Sequence, residues 1–317
     1  PPPPPPFFFK QKTAYEIPLR LVCSEMCIRD SNSRHHNQDC EDFIIWMIDE
    51  AHKRGIKKCF FLGDWHHHRS SINISTLNYS ISNLKRLSDN FEQVYFIVGN
   101  HDLFYRDKRE ISSVVFANEI PKIKVVNEIL VKDDVAIVPW LIGNEWKKIQ
   151  KIKAKYMFGH FELPNFKMNA MVEMPDHGEI QASHFSNIEK VFTGHFHKRQ
   201  HQGNISYIGN PFAHNYSDAW DNDRGCMLLE WDKEPQYKIW SAGPKYRILP
   251  LSKLLEAPDD YLEAECNVRV KIDMDISYEE ANFIKENFQN TYQLREISLL
   301  PYKEIEEEME FLSLIHI

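Results

Sequence analysis

The segment Val94-Tyr95-Phe96-Ile97-Val98-Gly99-Asn100-His101-Asp102 contains the pattern on which the rest of the chain is built. Its five apolar residues in a row predict a buried strand, and the glycine after them lets the backbone turn sharply and approach a ligand. The residues after the glycine have side chains of types that bind metal ions. The segment therefore predicts a strand that presents ligands at the edge of a sheet.

The same arrangement of apolar run, glycine and ligand-type residue occurs three more times. The three copies are Cys59–Asp64, Tyr156–His160 and Val191–His197. In α/β folds, binding sites collect at the carboxyl ends of strands. We therefore expect the four strand ends to converge on one point of the molecule.

The residues at these strand ends form a mixed set of oxygen and nitrogen donors. The set is one carboxylate, one amide and three imidazoles, namely Asp64, Asn100, His160, His195 and His197. Such a set suits Mn, Fe or Zn better than Ca or Mg, and it has enough groups for two ions. A single Gly-His after a strand is more often an ordinary turn, so the prediction depends on all four copies occurring in one chain.

The strand-end motifs resemble the successive blocks of the calcineurin-like metallophosphoesterases. The matching blocks are Gly63-Asp64, Gly99-Asn100-His101-Asp102, Gly159-His160 and Gly194-His195-Phe196-His197. Two later motifs, Ile208-Gly209-Asn210-Pro211 and Asp223-Arg224-Gly225, resemble the DNA-repair nuclease branch, which includes SbcD-like proteins and phage recombination endonuclease subunits. The resemblance covers roughly residues 32–245.

The resemblance implies an α/β fold, a four-layer α/β/β/α sandwich of two mixed sheets, over residues 32–245. After Pro244 the pattern changes. Val268–Met274 alternates as a strand, Tyr278–Phe288 is helical and Gln293–Leu299 alternates again. This strand-helix-strand unit predicts a small C-terminal α+β cap or partner-binding region over residues 246–317.

The resemblance also implies roles for the metal-type residues. Two divalent ions are expected, with Mn favoured over Fe and Zn. Asp64 would bridge them, because a carboxylate offers two anionic oxygens. Asn100, His160 and His195 would complete the second ion, and His197 would reach the first.

Three further residues take catalytic roles in this resemblance. His101 would protonate the departing alkoxide or stabilise the charged transition state, and Asp102 would fix its tautomer and raise its basicity. His67 stands three positions after Asp64, where the family usually carries another polar residue. It would contact the substrate phosphate, or it would be one of a run of solvated loop histidines.

One motif of the family is missing. The family's first strand ends in Asp-x-His, and no Asp-x-His lies upstream of Asp64. Asp30, His35 and His36 lie near the right place but at a different spacing. Residues 1–31 begin with six prolines and resemble translated adapter sequence, so we expect a non-native or disordered leader that replaces the first strand. Such a chain would hold the second ion properly and the first one poorly.

Composition limits the cellular setting and the partners. The six cysteines lack the paired spacing of a zinc site or a disulfide framework, and no apolar run is long enough for a membrane span. A cytoplasmic protein is therefore expected. The formal charge of −8 argues against broad unaided affinity for nucleic acid. The lysine-rich stretch 146–155 would be a DNA-facing stripe or a solvated helix face.

These observations favour a metal-dependent DNA endonuclease or exonuclease subunit that hydrolyses phosphodiester bonds by a two-metal mechanism. The resemblance implies an SbcC-like ATPase subunit as partner, and a homodimer is also consistent with it. One alternative is a phosphatase or phosphodiesterase that acts on nucleotides or phosphoproteins. A second alternative is a catalytically impaired scaffold that keeps the fold, which the missing Asp-x-His favours.

Overall fold

The structure is a computed structural model that describes residues 19–24, 26, 34–169 and 172–301. The strands of these residues are, in chain order, β1 (Arg20–Cys23), β2 (Lys58–Phe61), β3 (Gln93–Ile97), β4 (Ile123–Val126), β5 (Leu130–Lys132), β6 (Val135–Val138), β7 (Tyr156–His160), β8 (Lys190–Gly194), β9 (Gln200–Gln202), β10 (Ile205–Tyr207), β11 (Gly225–Leu229), β12 (Gln236–Ile239), β13 (Lys245–Pro250), β14 (Cys266–Ile272) and β15 (Glu296–Pro301). The α-helices are α1 (Arg34–His52), α2 (Ile74–Asn90), α3 (Leu251–Glu256) and α4 (Tyr278–Tyr292).

Two six-stranded sheets form the main body of the protein. The first has the order β12-β11-β1-β2-β3-β4, and the second has the order β5-β6-β7-β8-β10-β9. The central strands of each sheet are parallel, whereas outer strands such as β12 and β5 are antiparallel to their neighbours. Both sheets are therefore mixed, which confirms the predicted α/β class.

The two sheets pack face to face. Their inner faces share one buried apolar cluster, in which Phe60 of the first sheet stacks on Phe158 of the second at a ring-centroid distance of 4.2 Å. Val22 and Ile97 of the first sheet and Phe192 of the second lie in the same cluster. Burial of each such side chain contributes roughly 1.5–3 kcal/mol, so this layer fixes one sheet against the other.

The outer faces of the two sheets are covered differently. Helices α1 and α2 cover the first sheet, and α1 buries Phe43, Ile44 and Met47 there. Asn73 starts α2 by accepting a hydrogen bond from the Thr76 backbone N–H. On the second sheet, the covering segments include the 3-10 helices Gly143–Lys151 and Ala182–Phe185, so the fourth layer is less regular than expected.

Strand β1 corrects the expectation that residues 1–31 stand outside the domain. It lies between β11 and β2 in the first sheet, and Leu21, Val22 and Cys23 are fully buried. This apolar run has the composition of a buried strand, and it fills the slot between two neighbours whose backbones need partners. The expectation for residues 1–18, 25 and 27–31 lies outside the described residues.

The C-terminal unit is a three-stranded parallel sheet of β13, β14 and β15 with α3 and α4. It contains the predicted strand-helix-strand pattern and adds β13 and α3 before it. Its own buried cluster includes Leu251, Val268 and Ile297. Arg295 joins this unit to α1 through two hydrogen bonds of 2.7 Å to the Asp39 carboxylate. The division of the chain at residue 246 stays a prediction.

The helices of the described residues include none that is long and apolar enough to cross a membrane. The longest, α1, has 19 residues and is interrupted by acidic side chains.

Candidate metal centre

Four of the predicted ligands meet at the carboxyl ends of β2, β3, β7 and β8. Asn100 Oδ1 lies 2.9 Å from His160 Nε2 and 3.0 Å from His195 Nδ1. Asp64 Oδ2 lies 3.3 Å from the same His160 nitrogen. Asp64, Asn100 and His160 are buried. Two oxygen donors and two nitrogen donors thus face one small volume, as the sequence predicted.

Two glycines allow the strand ends to approach each other this closely. Gly63 has a φ of +98°, and a Cβ there would lie 2.5 Å from His160 Nδ1. A Cβ on Gly99 would overlap the Asp64 carboxylate. Asp64 and His195 themselves have φ angles of 59° and 90°, which non-glycine residues rarely adopt. Strain of this kind persists where the surrounding structure holds it for function.

The hydrogen bonds of His160 determine which of its nitrogens faces the cluster. Its Nδ1 lies 2.7 Å from the Leu62 carbonyl oxygen, so Nδ1 carries the proton and donates it there. The lone pair of Nε2 then points towards Asp64 and Asn100. A backbone carbonyl that fixes the tautomer in this way is typical of metal-binding histidines.

His195 is oriented by a carboxylate that the sequence did not indicate. Its Nε2 lies 3.0 Å from Glu162 Oε2, and its Nδ1 faces Asn100. Burial lowers the pKa of His195 although Glu162 raises it, so the ring is neutral at pH 7, as a metal ligand must be. The available signal for Glu162 was its position two residues after His160. Arg106 also contacts Glu162, at 3.2 Å.

The orientation of the Asn100 amide tests whether these residues fit a cation. With its oxygen inward, Asn100 adds a third kind of electron-pair donor to Asp64 and the two imidazoles. With the amide turned round, its nitrogen would donate to Asp64 Oδ2 at 3.2 Å, and its oxygen would accept from Arg69 Nη2 at 3.1 Å. When the Asn100 oxygen faces other electron-pair donors, a cation bound between them makes the arrangement favourable. The donor set fits a divalent ion of the Mn, Fe or Zn type.

His101 lies at the edge of this cluster. Its Nδ1 is 2.8 Å from the His67 carbonyl oxygen, and its ring stacks on the His67 ring at 5.5 Å. Its backbone N–H donates to Asp64 Oδ1 at 2.8 Å. Burial raises the pKa of Asp64, but its contacts with His160 and His101 outweigh that effect and lower the pKa, which keeps this carboxylate ionised.

Asp102 does not have the partner that we expected. Its carboxylate accepts backbone N–H groups of Asp64, Trp65 and Gly99 at 2.9–3.0 Å and does not bond to the His101 ring. A more distant N–H, that of His66, lies at 3.3 Å. Asp102 therefore fixes the turn that carries Asp64, and the His67 carbonyl orients His101. The expected role was wrong because the turn after β2 folds over the carboxylate.

His197 lies apart from the four-residue cluster. Its Nδ1 is 3.6 Å from Asp218 Oδ1, and its ring is 5.7 Å from the ring of His214. Asp218 also pairs with Arg224 at 3.0 Å. Among the described carboxylates, thiols and imidazoles, the group close enough to share an ion is Asp64, His160 and His195. The metal role of His197 stays a prediction.

The region after β1 shows where the missing Asp-x-His would stand. Ser24 follows the strand, and its buried hydroxyl has no hydrogen-bond partner among the described residues. Of the weaker candidates, His36 is buried with its ring 5.4 Å from His214, whereas His35 is exposed. Asp30 lies outside the described residues.

A cation without an acidic partner lies next to the cluster. Arg69 is half-buried, and no carboxylate of the described residues lies within ion-pair distance of it. Burial lowers the pKa of Arg69 and the charge of Arg106 lowers it further, whereas Asp64 raises it. A half-buried guanidinium of this kind is suited to binding an anion.

Comparison with known proteins gives one distant relative to report. No protein-family model matches the chain. The chain is 27% identical over 203 residues to exonuclease subunit 1 of Enterobacteria phage T4, and the aligned part covers 61% of this chain. The aligned part spans 58% of the length of that relative.

Proposed function

We propose that this protein is a metal-dependent phosphoesterase that hydrolyses phosphodiester bonds in DNA as a nuclease subunit. One observation carries the proposal. Asp64, Asn100, His160 and His195 direct their donor atoms at one point, and the second nitrogen of each histidine is bonded to a fixed acceptor. The name of the phage relative supports nucleic acid as the substrate.

These four residues would hold one divalent ion. A divalent ion in such a site lowers the pKa of water and neutralises charge on a phosphoryl group. The ligands of the other ion, the first one of the resemblance, are not assigned, because β1 is followed by Ser24 and His197 Nδ1 lies 3.6 Å from Asp218 Oδ1. The proposal therefore assigns residues to one ion only.

The chain's own residues supply the remaining chemistry. Because His101 Nδ1 is bonded to the His67 carbonyl, Nε2 is the ring atom that holds and transfers a proton to the leaving oxygen. Arg69 binds a non-bridging phosphate oxygen, because its guanidinium needs an anionic partner. His67, stacked beside His101, contacts the same phosphate.

The relative's name also supports a subunit role. A protein named as an exonuclease subunit acts with another chain, and we propose an ATPase subunit of the SbcC type as the partner here. A partner that contributes cations would also compensate for the net charge of −8. Cytoplasmic location belongs to the same proposal.

One observation favours the alternative of an impaired scaffold. The first strand ends without the Asp-x-His that the resemblance requires, and Ser24 follows it. A protein that binds an ion without hydrolysing DNA would fit this alternative.

The test compares the wild type with His101→Ala on end-labelled linear DNA after removal of metal and addition of Mn²⁺. We expect the wild type to release nucleotides, and we expect His101→Ala to be slower by roughly 10²- to 10⁴-fold while it retains Mn²⁺. Absence of cleavage by an Mn²⁺-loaded wild type would contradict the proposal and favour the scaffold. Loss of Mn²⁺ in His101→Ala would mean that His101 is a ligand.

A further inference from the structure

A groove opens beside the candidate metal centre. His160 and Glu162 form its inner end, and Arg106, Trp140 and Trp146 form much of its wall. One proposed metal ligand, His160, and these aromatic side chains therefore line the same groove. A substrate bound at the candidate metal centre would extend into this groove.

The inner wall is held rigidly against the ligands. The Trp140 ring lies 5.3 Å from the His195 ring and 6.0 Å from the His160 ring. Its Nε1 donates to the Arg106 carbonyl oxygen at 3.3 Å. Trp140 is thus a fixed side of the site, and its removal would disturb the ligands.

The outer wall is more open. Trp146 is half-buried and lies on the 3-10 helix Gly143–Lys151. One side of it contacts His184 at 5.0 Å, and the Lys147 ammonium lies 5.5 Å from the ring centroid. Lys147 is exposed, so a planar group can replace the ammonium over the indole. The ammonium then becomes available for an anion.

The charges around the groove favour a polyanion at its outer end. Three exposed lysines, Lys147, Lys148 and Lys151, lie on the 3-10 helix that carries Trp146, and Lys148 Nζ lies 3.6 Å from Glu145 Oε1. Two acidic residues nearby are already paired: Glu162 with Arg106 and His195, and Glu145 with Arg109. Asp107 and Glu179 also line the groove, so the cationic side is the one that carries Trp146.

We propose that this groove binds the single-stranded end of a nucleic acid, with a nucleobase stacked on Trp146 and the backbone phosphates near Lys147 and Lys148. The inference rests on the proposed function, because the phosphodiester next to that base would lie at the metal centre. Stacking on an aromatic side chain beside cations is the usual way in which proteins bind unpaired strands without sequence preference.

The test measures binding in EDTA, so that it does not depend on hydrolysis. The probes are a fluorescently labelled oligothymidylate and the same oligonucleotide with abasic tetrahydrofuran residues at its end. We expect Trp146→Ala to weaken binding of the first probe roughly 5- to 150-fold and to leave the second unchanged. Trp146→Phe should restore part of the loss. Trp220→Ala, which removes an indole that is 47% exposed outside the groove, is the matched control.

Two results would overturn the inference: equal weakening for both probes, or no weakening for either. Cleavage of DNA by the wild type alongside either result would leave the proposed function intact. Conversely, base-dependent binding without Mn²⁺-dependent cleavage would contradict the proposed function but support binding of a nucleobase in the groove.

The contribution of the lysines is tested separately, by the salt dependence of binding. Replacing Lys147 and Lys148 with Gln removes two phosphate contacts, so the slope of log affinity against log salt should become less steep by about 1.4 for both probes. Lys285→Gln, an exposed change on α4, should leave the slope unchanged. An unchanged slope in the double variant would exclude phosphate contacts by these lysines.

Discussion

Two histidine-containing regions of this protein lie near each other in sequence and differ in the contacts that their histidines make. In the strand-end cluster, His160 and His195 each direct one nitrogen at Asn100 and bond the other to a fixed acceptor. In the second region, which we call the His197 corner, His197 faces Asp218, and Asp218 is paired with Arg224. The first region directs electron-pair donors at one point, whereas the second pairs a carboxylate with an imidazole and a guanidinium.

The comparison shows that two histidines after the same strand can have different partners. His195 and His197 are two residues apart on the same turn. His195 is held by Glu162, and His197 is next to a carboxylate that a buried guanidinium already neutralises. From these partners we predict that His195, and not His197, binds the ion.

The largest expected effect comes from removing the charge of Asp64. Asparagine tolerates the φ of 59° at this position, so Asp64→Asn should fold normally. Hydrolysis of DNA should fall roughly 10³-fold or more, because the carboxylate that holds the ion is lost. Steady-state kinetics with Mn²⁺ and circular dichroism together check this. Normal turnover would show that the strand-end cluster is not the reactive centre.

The next effect lies in the His197 corner and concerns stability. Asp218→Asn removes the buried carboxylate beside Arg224, which keeps its contact of 3.2 Å with Asp221, and we expect a loss of roughly 1–3 kcal/mol in the free energy of unfolding. Mn²⁺ affinity of the folded protein should not change. Urea denaturation measures the first quantity and calorimetric titration the second. Asp260→Asn, an exposed change in the C-terminal unit, is the control.

The pH dependence of stability sharpens this second test. Burial raises the pKa of Asp218, but the charges of Arg224 and His197 outweigh it and hold the pKa well below the ordinary value of 3.8. The stabilisation is therefore complete above about pH 4 and is lost as the pH falls below it. Asp218→Asn should lack this acid-dependent loss. An identical acid profile in both proteins would contradict the assignment.

A smaller effect is expected from the group that orients His195. Glu162→Gln keeps the size of the side chain and weakens the hydrogen bond to His195 Nε2, so Mn²⁺ affinity should fall roughly 10- to 100-fold. Glu179→Gln changes the charge of the same groove without touching His195 and should have little effect. Equal losses in both variants would indicate a general charge effect.

The smallest expected effect is the binding of one additional ion when the missing Asp-x-His is restored. Glu25 and Cys27 stand on either side of Met26 in the sequence, and replacing Glu25 with Asp and Cys27 with His writes the missing Asp-x-His there. We expect Mn²⁺ stoichiometry, measured by mass spectrometry of the native protein, to rise from one to two, with the second ion bound more weakly. An unchanged stoichiometry would mean that the His197 corner cannot serve a second ion.

Many strands of the fold and the residues of the strand-end cluster could be predicted from the sequence. The strands β2, β3, β7 and β8 were predictable because their apolar runs and glycines are local signals. Glu162 was not, because it meets His195 across 33 positions of chain through tertiary contact alone. The role of Asp102 depends on how the turn after β2 folds back, and periodicity carries no information about that turn. Strand β1 was missed because its neighbours in sequence have the composition of a foreign leader.

The central claim is that four residues, and not His197, hold one divalent ion. Calorimetric titration of the EDTA-treated protein with Mn²⁺ tests it most directly, with His160→Gln and His197→Ala measured beside the wild type. We predict one tightly bound ion in the wild type and in His197→Ala, and none in His160→Gln. Tight binding that survives in His160→Gln, or that disappears in His197→Ala, would contradict this account.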